Sequence, residues 1–291
     1  MLVLLAPGQG AQSPGLLLPW LDLPGAADDV RRWSGLTGLD LLRLGTTAGA
    51  DEVRDTAVAQ PLLTATALLS ARTVDERPGA VCGHSVGELA ALALAGVLDA
   101  DTAVLVAGAR GAAMAEAAAL EPTGMAAVLG GDRDDVVAAG SRLGLAVATV
   151  NVAGQVVLGG PTAALDALAA DPPAGTRVRR LEVSGAFHTA AMAPAVERLR
   201  AVLADVVPGR PTCAVVANAD GAVVEDGREL LDRLVVQLTT AVRFDLCLQT
   251  LATLGVDAVV ELAPSGTLSG MAKRALPGVK PTPLTGATVP A

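Results

Sequence analysis

The chain has 291 residues, of which 52% are apolar, and a formal net charge of −9. That length suits one large core with a smaller companion, and the acidic balance argues against nucleic acid, whose phosphates need clustered cations. With no Tyr and no Ile, the core has to be built from Leu, Val and Ala packed closely.

Leu2 to Ala6 reads as a short buried strand, and a Gly-rich turn from Pro7 to Gln12 follows it. Residues 13–60 carry mixed signals. Gln60-Pro61 opens an apolar helix that runs to about Ala71, with proline in its first turn. Ala80 to Cys82 reads as a strand, and a long Ala/Leu helix from Val86 to Ala95 comes directly after Gly83-His-Ser-Val-Gly87. Asp101 is the expected cap of the next helix, which carries Arg110 and Met114. The middle of the chain then gives strand 125–129, helix 132–143, strands 146–152 and 155–158 joined at Ala153-Gly154, helix 161–170 and strand 177–183. That order is β-α-β-β-α-β, the ferredoxin-like unit, which closes on itself as a small domain. Beyond it come a helix near 191–203, a strand near 214–218, a helix near 230–238, a strand at 258–262 and a helix near 268–275. The tail from Pro281 is rich in Pro, Thr and Gly and is expected to be loosely ordered.

Gly83-His84-Ser85-Val86-Gly87 places G-x-S-x-G between a strand and a helix. Two glycines let the chain turn sharply there, and the turn holds Ser Oγ at a helix N-terminus, where backbone N–H groups stabilise an oxyanion. An ordinary Gly-rich turn with a Ser cap is the plainer reading. The chain has only two histidines, His84 and His188. His84 adjoins Ser85 and its side chain leaves the turn in another direction. His188, in Gly185-Ala-Phe-His188, is therefore the candidate base, the alternative being a buried structural histidine. Arg110 lies on an otherwise apolar helix, and a guanidinium there is costly to bury unless an anion meets it. It could hold a carboxylate through two parallel hydrogen bonds, or pair with Glu116 or Glu121. Gly8-Gln-Gly10 has no third glycine for a dinucleotide fold, since position 13 is Ser. The three cysteines, Cys82, Cys213 and Cys247, show no metal spacing and point to a reducing compartment. The N-terminus lacks a basic region and is too short for a signal peptide. Asp99 and Asp101 interrupt the longest apolar stretch, so no membrane span is expected.

Taken together, these stretches resemble malonyl-CoA:acyl carrier protein transacylases and the acyltransferase domains of polyketide synthases. The matching segments are Pro7 to Gln12, Ala59-Gln-Pro-Leu62, Gly83 to Leu89, Arg110 to Met114, Asn151 to Gly160, Gly185 to His188, Met192 to Ala195 and Pro264 to Gly270. They keep the family's order and span nearly the whole chain. The resemblance implies a hydrolase-like α/β domain with a parallel sheet (1–123 and 188–291) and an inserted ferredoxin-like domain (124–187). It implies that Ser85 is the nucleophile and His188 the base, with the backbone N–H groups of Gln9 and Val86 as oxyanion hole. Arg110 matches the residue that binds the malonyl carboxylate, and Gln60, Asn151 and Phe187 are expected beside the substrate. Phe187 would crowd out an α-methyl group, a discrimination worth about 1–3 kcal/mol.

The family orients its base with a backbone carbonyl in a stretch that usually reads Asn-Pro-Val-Arg/Gln-Trp. Here it reads Thr240-Ala-Val-Arg-Phe244, which gives that role to the carbonyl of Arg243. The segment between Leu69 and Ala80 is short for the family and the chain ends early, departures that bear on stability more than on chemistry. The expected partners are malonyl-CoA and an acyl carrier protein that supplies the phosphopantetheine; no metal or redox cofactor is needed. A cytoplasmic monomer is expected. Arg177, Arg179, Arg180, Lys273 and Arg274 are candidates for carrier docking, or else simply solvated charges. An editing acyl hydrolase and an idle carrier-binding module are the rival readings. Nothing in the sequence separates fatty acid from polyketide synthesis.

Overall fold

The structure is a computed structural model and describes residues 1–183 and 185–286. Strand β1 (Leu2–Ala6) is buried along its whole length. A strand covered on both faces need not alternate, which is why it is apolar throughout. Helices α1 (Ala26–Thr37), α2 (Leu41–Thr46), α3 (Ala50–Arg54) and α4 (Thr56–Ala71) follow it. Strand β2 (Ala80–Gly83) pairs parallel to β1, with Leu5 opposite Cys82. Helices α5 (Gly87–Leu94) and α6 (Ala100–Ala118) come next.

The expected β-α-β-β-α-β order is present. It consists of β3 (Thr123–Gly130), α7 (Arg133–Arg142), β4 (Ala146–Val152), β5 (Gln155–Pro161), α8 (Thr162–Ala170) and β6 (Thr176–Arg180). Its four strands form an antiparallel sheet in the order β6-β3-β5-β4. The chain then runs through α9 (Ala193–Leu203), β7 (Ala214–Val216), β8 (Val223–Val224) and α10 (Gly227–Val236). Last come β9 (Val242–Arg243), α11 (Phe244–Thr253), β10 (Ala258–Glu261), α12 (Thr267–Ala275) and β11 (Thr282–Pro283). The first sheet has the order β11-β10-β1-β2-β7-β8, parallel except for the β7–β8 pair. Strand β9 adds parallel to β4 as a fifth strand of the second sheet, so that sheet is completed from the C-terminal third of the chain.

Alternation along β1 and β2 divides the core into two layers. Leu2, Leu4, Ala6 and Val81 face the larger cluster, with α4, α6 and both tryptophans; Val3, Leu5, Ala80 and Cys82 face α11 and α12. A third cluster fills the second sheet against α7 and α8.

Several local expectations are corrected. Helix α4 begins at Thr56, not at Gln60; Asp55 caps it by accepting from the Ala57 N–H at 2.8 Å, so Pro61 sits inside the helix. Proline costs a helix one hydrogen bond, which burial of nearly the whole of α4 offsets. Asp99 caps α6, accepting from the Thr102 N–H at 2.6 Å. Asp101 instead binds Arg32 and the Trp33 indole N–H, both at 2.8 Å. The strand expected at 177–183 stops at Arg180. The start of the tail is ordered: β11 pairs with β10, and the Leu284 N–H donates to the Glu261 carbonyl at 2.9 Å. The rest of the tail, 287–291, lies outside the described residues.

Candidate active site

The turn between β2 and α5 is held open by its glycines. A Cβ on Gly83 would lie 2.1 Å from the Glu88 nitrogen, and one on Gly87 would lie 2.2 Å from the Ala6 carbonyl oxygen. Between them Ser85 has φ 55°, and His188 has φ 62°; among the described residues no other non-glycine has positive φ. Left-handed backbone at a non-glycine residue is uncommon and clusters at functional sites. Asn218 fixes the turn, accepting from the Ser85 N–H at 2.7 Å and donating through Nδ2 to the Gly83 carbonyl at 2.6 Å.

Ser85 Oγ lies 2.8 Å from His188 Nε2. His188 Nδ1 lies 2.7 Å from the backbone carbonyl of Gln237, an acceptor only, so Nδ1 carries the proton and the Nε2 lone pair faces the serine. Burial and the neighbouring Arg110 cation push the His188 pKa down to about 3, which keeps the ring neutral. The carbonyl that orients His188 therefore belongs to Gln237 and not to Arg243. Gln237 follows the last residue of α10, where carbonyls lack intrahelical partners. Arg243 is occupied in β9, where its N–H donates to the Asn218 carbonyl at 2.7 Å and its guanidinium pairs with Asp245 at 2.8 Å.

Arg110 is 1% exposed. It donates to Gln60 Oε1 at 2.7 Å, to Gln237 Oε1 at 2.8 Å and to Ser85 Oγ at 3.3 Å, and its buried Nε has no partner among the described residues. Among the described residues no carboxylate touches it: Glu116, one sequence alternative, pairs with Arg198. Burial pulls its pKa down to about 10, partly opposed by Glu88. A buried cation with only neutral partners is suited to receive an anion.

A cavity of about 650 Å³ opens over Ser85, with Gln9, Gln60, Asn151 and Phe187 in its walls. The Gln9 side chain donates to Thr56 Oγ1 at 3.0 Å. Among the described residues, the backbone N–H groups of Gln9 and Val86 donate to no protein acceptor. Asn151, on β4, accepts from His84 Nε2 at 2.9 Å and so ties the second sheet to the residue beside Ser85. The His84 ring also meets Phe244 at a centroid distance of 5.3 Å. Of the five candidate docking residues, Arg179 and Arg180 reach the cavity wall. Arg180 pairs with Asp166 at 3.2 Å, and Arg274 donates to Gln155 Oε1 at 3.1 Å.

Residues 3–288 match the model of the acyl transferase domain. The chain belongs to the acyl transferase domain family. It is 52% identical to the malonyl CoA-acyl carrier protein transacylase of Mycobacterium tuberculosis, over 96% of this chain and 94% of that protein. It is 34% identical to the Escherichia coli protein of the same name, over 92% and 90%. The crystal structure of the Mycobacterium tuberculosis protein superposes with a TM-score of 0.95 at 50% identity, covering 98% of this chain and 96% of that one. A malonyl-transacylase in complex with its type II PKS acyl-carrier protein superposes with a TM-score of 0.90 at 29% identity, over 98% and 96%.

Three polar residues of this acyl transferase site escaped the sequence reading: Glu88, Asn218 and Gln237, all buried. Gln237 did leave a signal. It is the one amide at the apolar end of an amphipathic helix, and a buried Arg110 needs acceptors. Asn218 had only its place at the end of a predicted strand.

Proposed function

We propose that this acyl transferase moves the malonyl group of malonyl-CoA to the phosphopantetheine thiol of an acyl carrier protein, through a malonyl ester on Ser85. The observation that carries the malonyl assignment is the Arg110 guanidinium, buried without a carboxylate and 3.3 Å from Ser85 Oγ. A neutral acyl chain would have no use for that cation, so the editing hydrolase is disfavoured.

His188 Nε2 takes the Ser85 hydroxyl proton as the oxygen attacks the thioester carbon. The N–H groups of Gln9 and Val86 hold the oxyanion. Coenzyme A leaves as a thiol, carrying the proton from His188. Arg110 holds the malonyl carboxylate of the ester, and Phe187 limits the space beside the acyl carbon. The carrier's thiol then gives its proton to His188 and attacks the ester carbon; the bond to Ser85 Oγ breaks, and Oγ takes the proton back from His188 as it leaves. The protein needs no cofactor of its own, because both thiols arrive with the substrates. The large unit (1–123 and 188–291) supplies the reacting groups and the small one (124–187) closes the cavity against water. We place the reaction in the cytoplasm, with the protein acting as a monomer.

Intact-protein mass after mixing with malonyl-CoA tests this reading. Wild type should gain one malonyl group and pass it to added carrier protein. Ser85→Ala should gain none, and Arg110→Ala should lose malonyl labelling while retaining acetyl labelling from acetyl-CoA. Hydrolysis of malonyl-CoA without transfer would return the hydrolase reading.

A further inference from the structure

Behind Ser85, His188 and Arg110 lies a second layer made of Glu88, Asn218 and Gln237, each more than nine-tenths buried. Glu88 Oε1 accepts from the Asn218 N–H at 2.7 Å, and its Oε2 accepts from Gln237 Nε2 at 2.5 Å. Asn218 Oδ1 in turn holds the Ser85 N–H at 2.7 Å. Gln237 holds both remaining groups: its side-chain oxygen accepts from Arg110 at 2.8 Å and its backbone carbonyl from His188 at 2.7 Å. One carboxylate thus stands behind all three groups at the reacting centre, although it touches none of them.

We propose that Glu88 is a positioning residue for acyl transfer: its carboxylate fixes the side-chain amide of Gln237 so that the oxygen, not the NH2, faces Arg110. The inference rests on the transfer reading above and adds to it a residue that never meets substrate. The reason is one of donors and acceptors. An ionised carboxylate only accepts, so the Gln237 amide must turn its NH2 toward Glu88 and its oxygen toward Arg110. Replacing Glu88 by Gln keeps an oxygen for the Asn218 N–H but sets an NH2 against that of Gln237. The Gln237 amide then flips and points its own NH2 at the guanidinium, which cannot accept. Arg110 loses an acceptor where burial makes the loss costly. The opposite change, Gln237→Glu, sets two carboxylates face to face.

Exchanging both residues restores the pattern. The new amide at position 88 accepts from the Asn218 N–H and donates to the new carboxylate at position 237, whose other oxygen accepts from Arg110. The Gln237 Nε2 bond to Asn218 Oδ1, at 3.2 Å, is lost, and a carboxylate now abuts Arg110, so recovery is partial.

The test is the rate of malonyl-enzyme formation from malonyl-CoA, by quenched mixing and intact mass. It compares wild type, Glu88→Gln, Gln237→Glu and the double exchange. Each single variant should be slower by about 10- to 100-fold, and the double should return to within about tenfold of wild type. Singles as fast as wild type, or a double slowed by the product of the two losses, would overturn the proposal. If a single variant fails to fold, a folded and active double still supports the proposal, and an unfolded or inactive double defeats it. Wild type that takes no malonyl would instead sink the transfer reading, whereas a labelled wild type with the wrong order of variants sinks only the role of Glu88.

Discussion

The layer under the cavity floor and the rim hold their charges in opposite ways. Beneath Ser85 and Gln60, which line the floor, Arg110 is held by the amides of Gln60 and Gln237 and by the Ser85 hydroxyl, all buried. At the rim, Arg54 pairs with Glu182 at 3.3 Å and Arg180 with Asp166 at 3.2 Å, all partly or largely exposed. Exposed ion pairs contribute little, and salt screens them. Buried polar groups are costly when their partners are wrong. The floor therefore fixes geometry, and the rim leaves its cations available to a visiting anion.

The largest effect should come from the floor's backbone. Gly87→Ala would drive a methyl into the Ala6 carbonyl and should lower unfolding stability by about 3 kcal/mol or more in urea titration. A loss under about 1 kcal/mol would mean that the turn is looser than described. The next effect is on pH dependence. Burial raises the Glu88 pKa to about 7, against the pull of the Asn218 N–H, Arg110 and Arg233 and with a push from Asp220. His188 is neutral well below that pH. As the pH falls through about 7, Glu88 gains a proton, loses an acceptor and releases Gln237, so kcat/KM for malonyl-CoA should fall. In Glu88→Gln that fall should vanish; its persistence would assign the titration to another group. The smallest effect belongs to the rim. Arg179→Glu should raise the KM for carrier protein several-fold and leave malonyl-enzyme formation from malonyl-CoA unchanged. Slower formation would move Arg179 from the rim to the floor.

What could be read in the sequence follows the same division. Ser85 was marked by glycines that the turn cannot do without, and His188 by the scarcity of histidine. The β-α-β-β-α-β order stood out because its first three strands are mostly apolar and its turns carry glycine, while the arginine-rich β6 shows only alternation. The carbonyl that holds His188 was misplaced by six residues, because any residue supplies a carbonyl and only the end of α10 determines which one is free. Helices α1 to α3 were missed because residues 13–60 carry mixed signals, and α2 and α3, of 6 and 5 residues, are short helices that tertiary packing sustains. Strand β9 is two residues long and exists only because β4 offers it an edge. Glu88 stood inside a matching motif, but its partners lie 130 and 149 positions away, beyond the reach of local pattern.

The bond from His84 to Asn151 makes the protein's two sheets a mechanical pair. His84 shares a peptide bond with Ser85, and Asn151 belongs to the opposite wall, so the bond works as a tie-rod across the cleft. Widening the cleft would pull on the residue beside Ser85. The width of the cleft and the pose of the peptide before Ser85 are thereby coupled through a single bond.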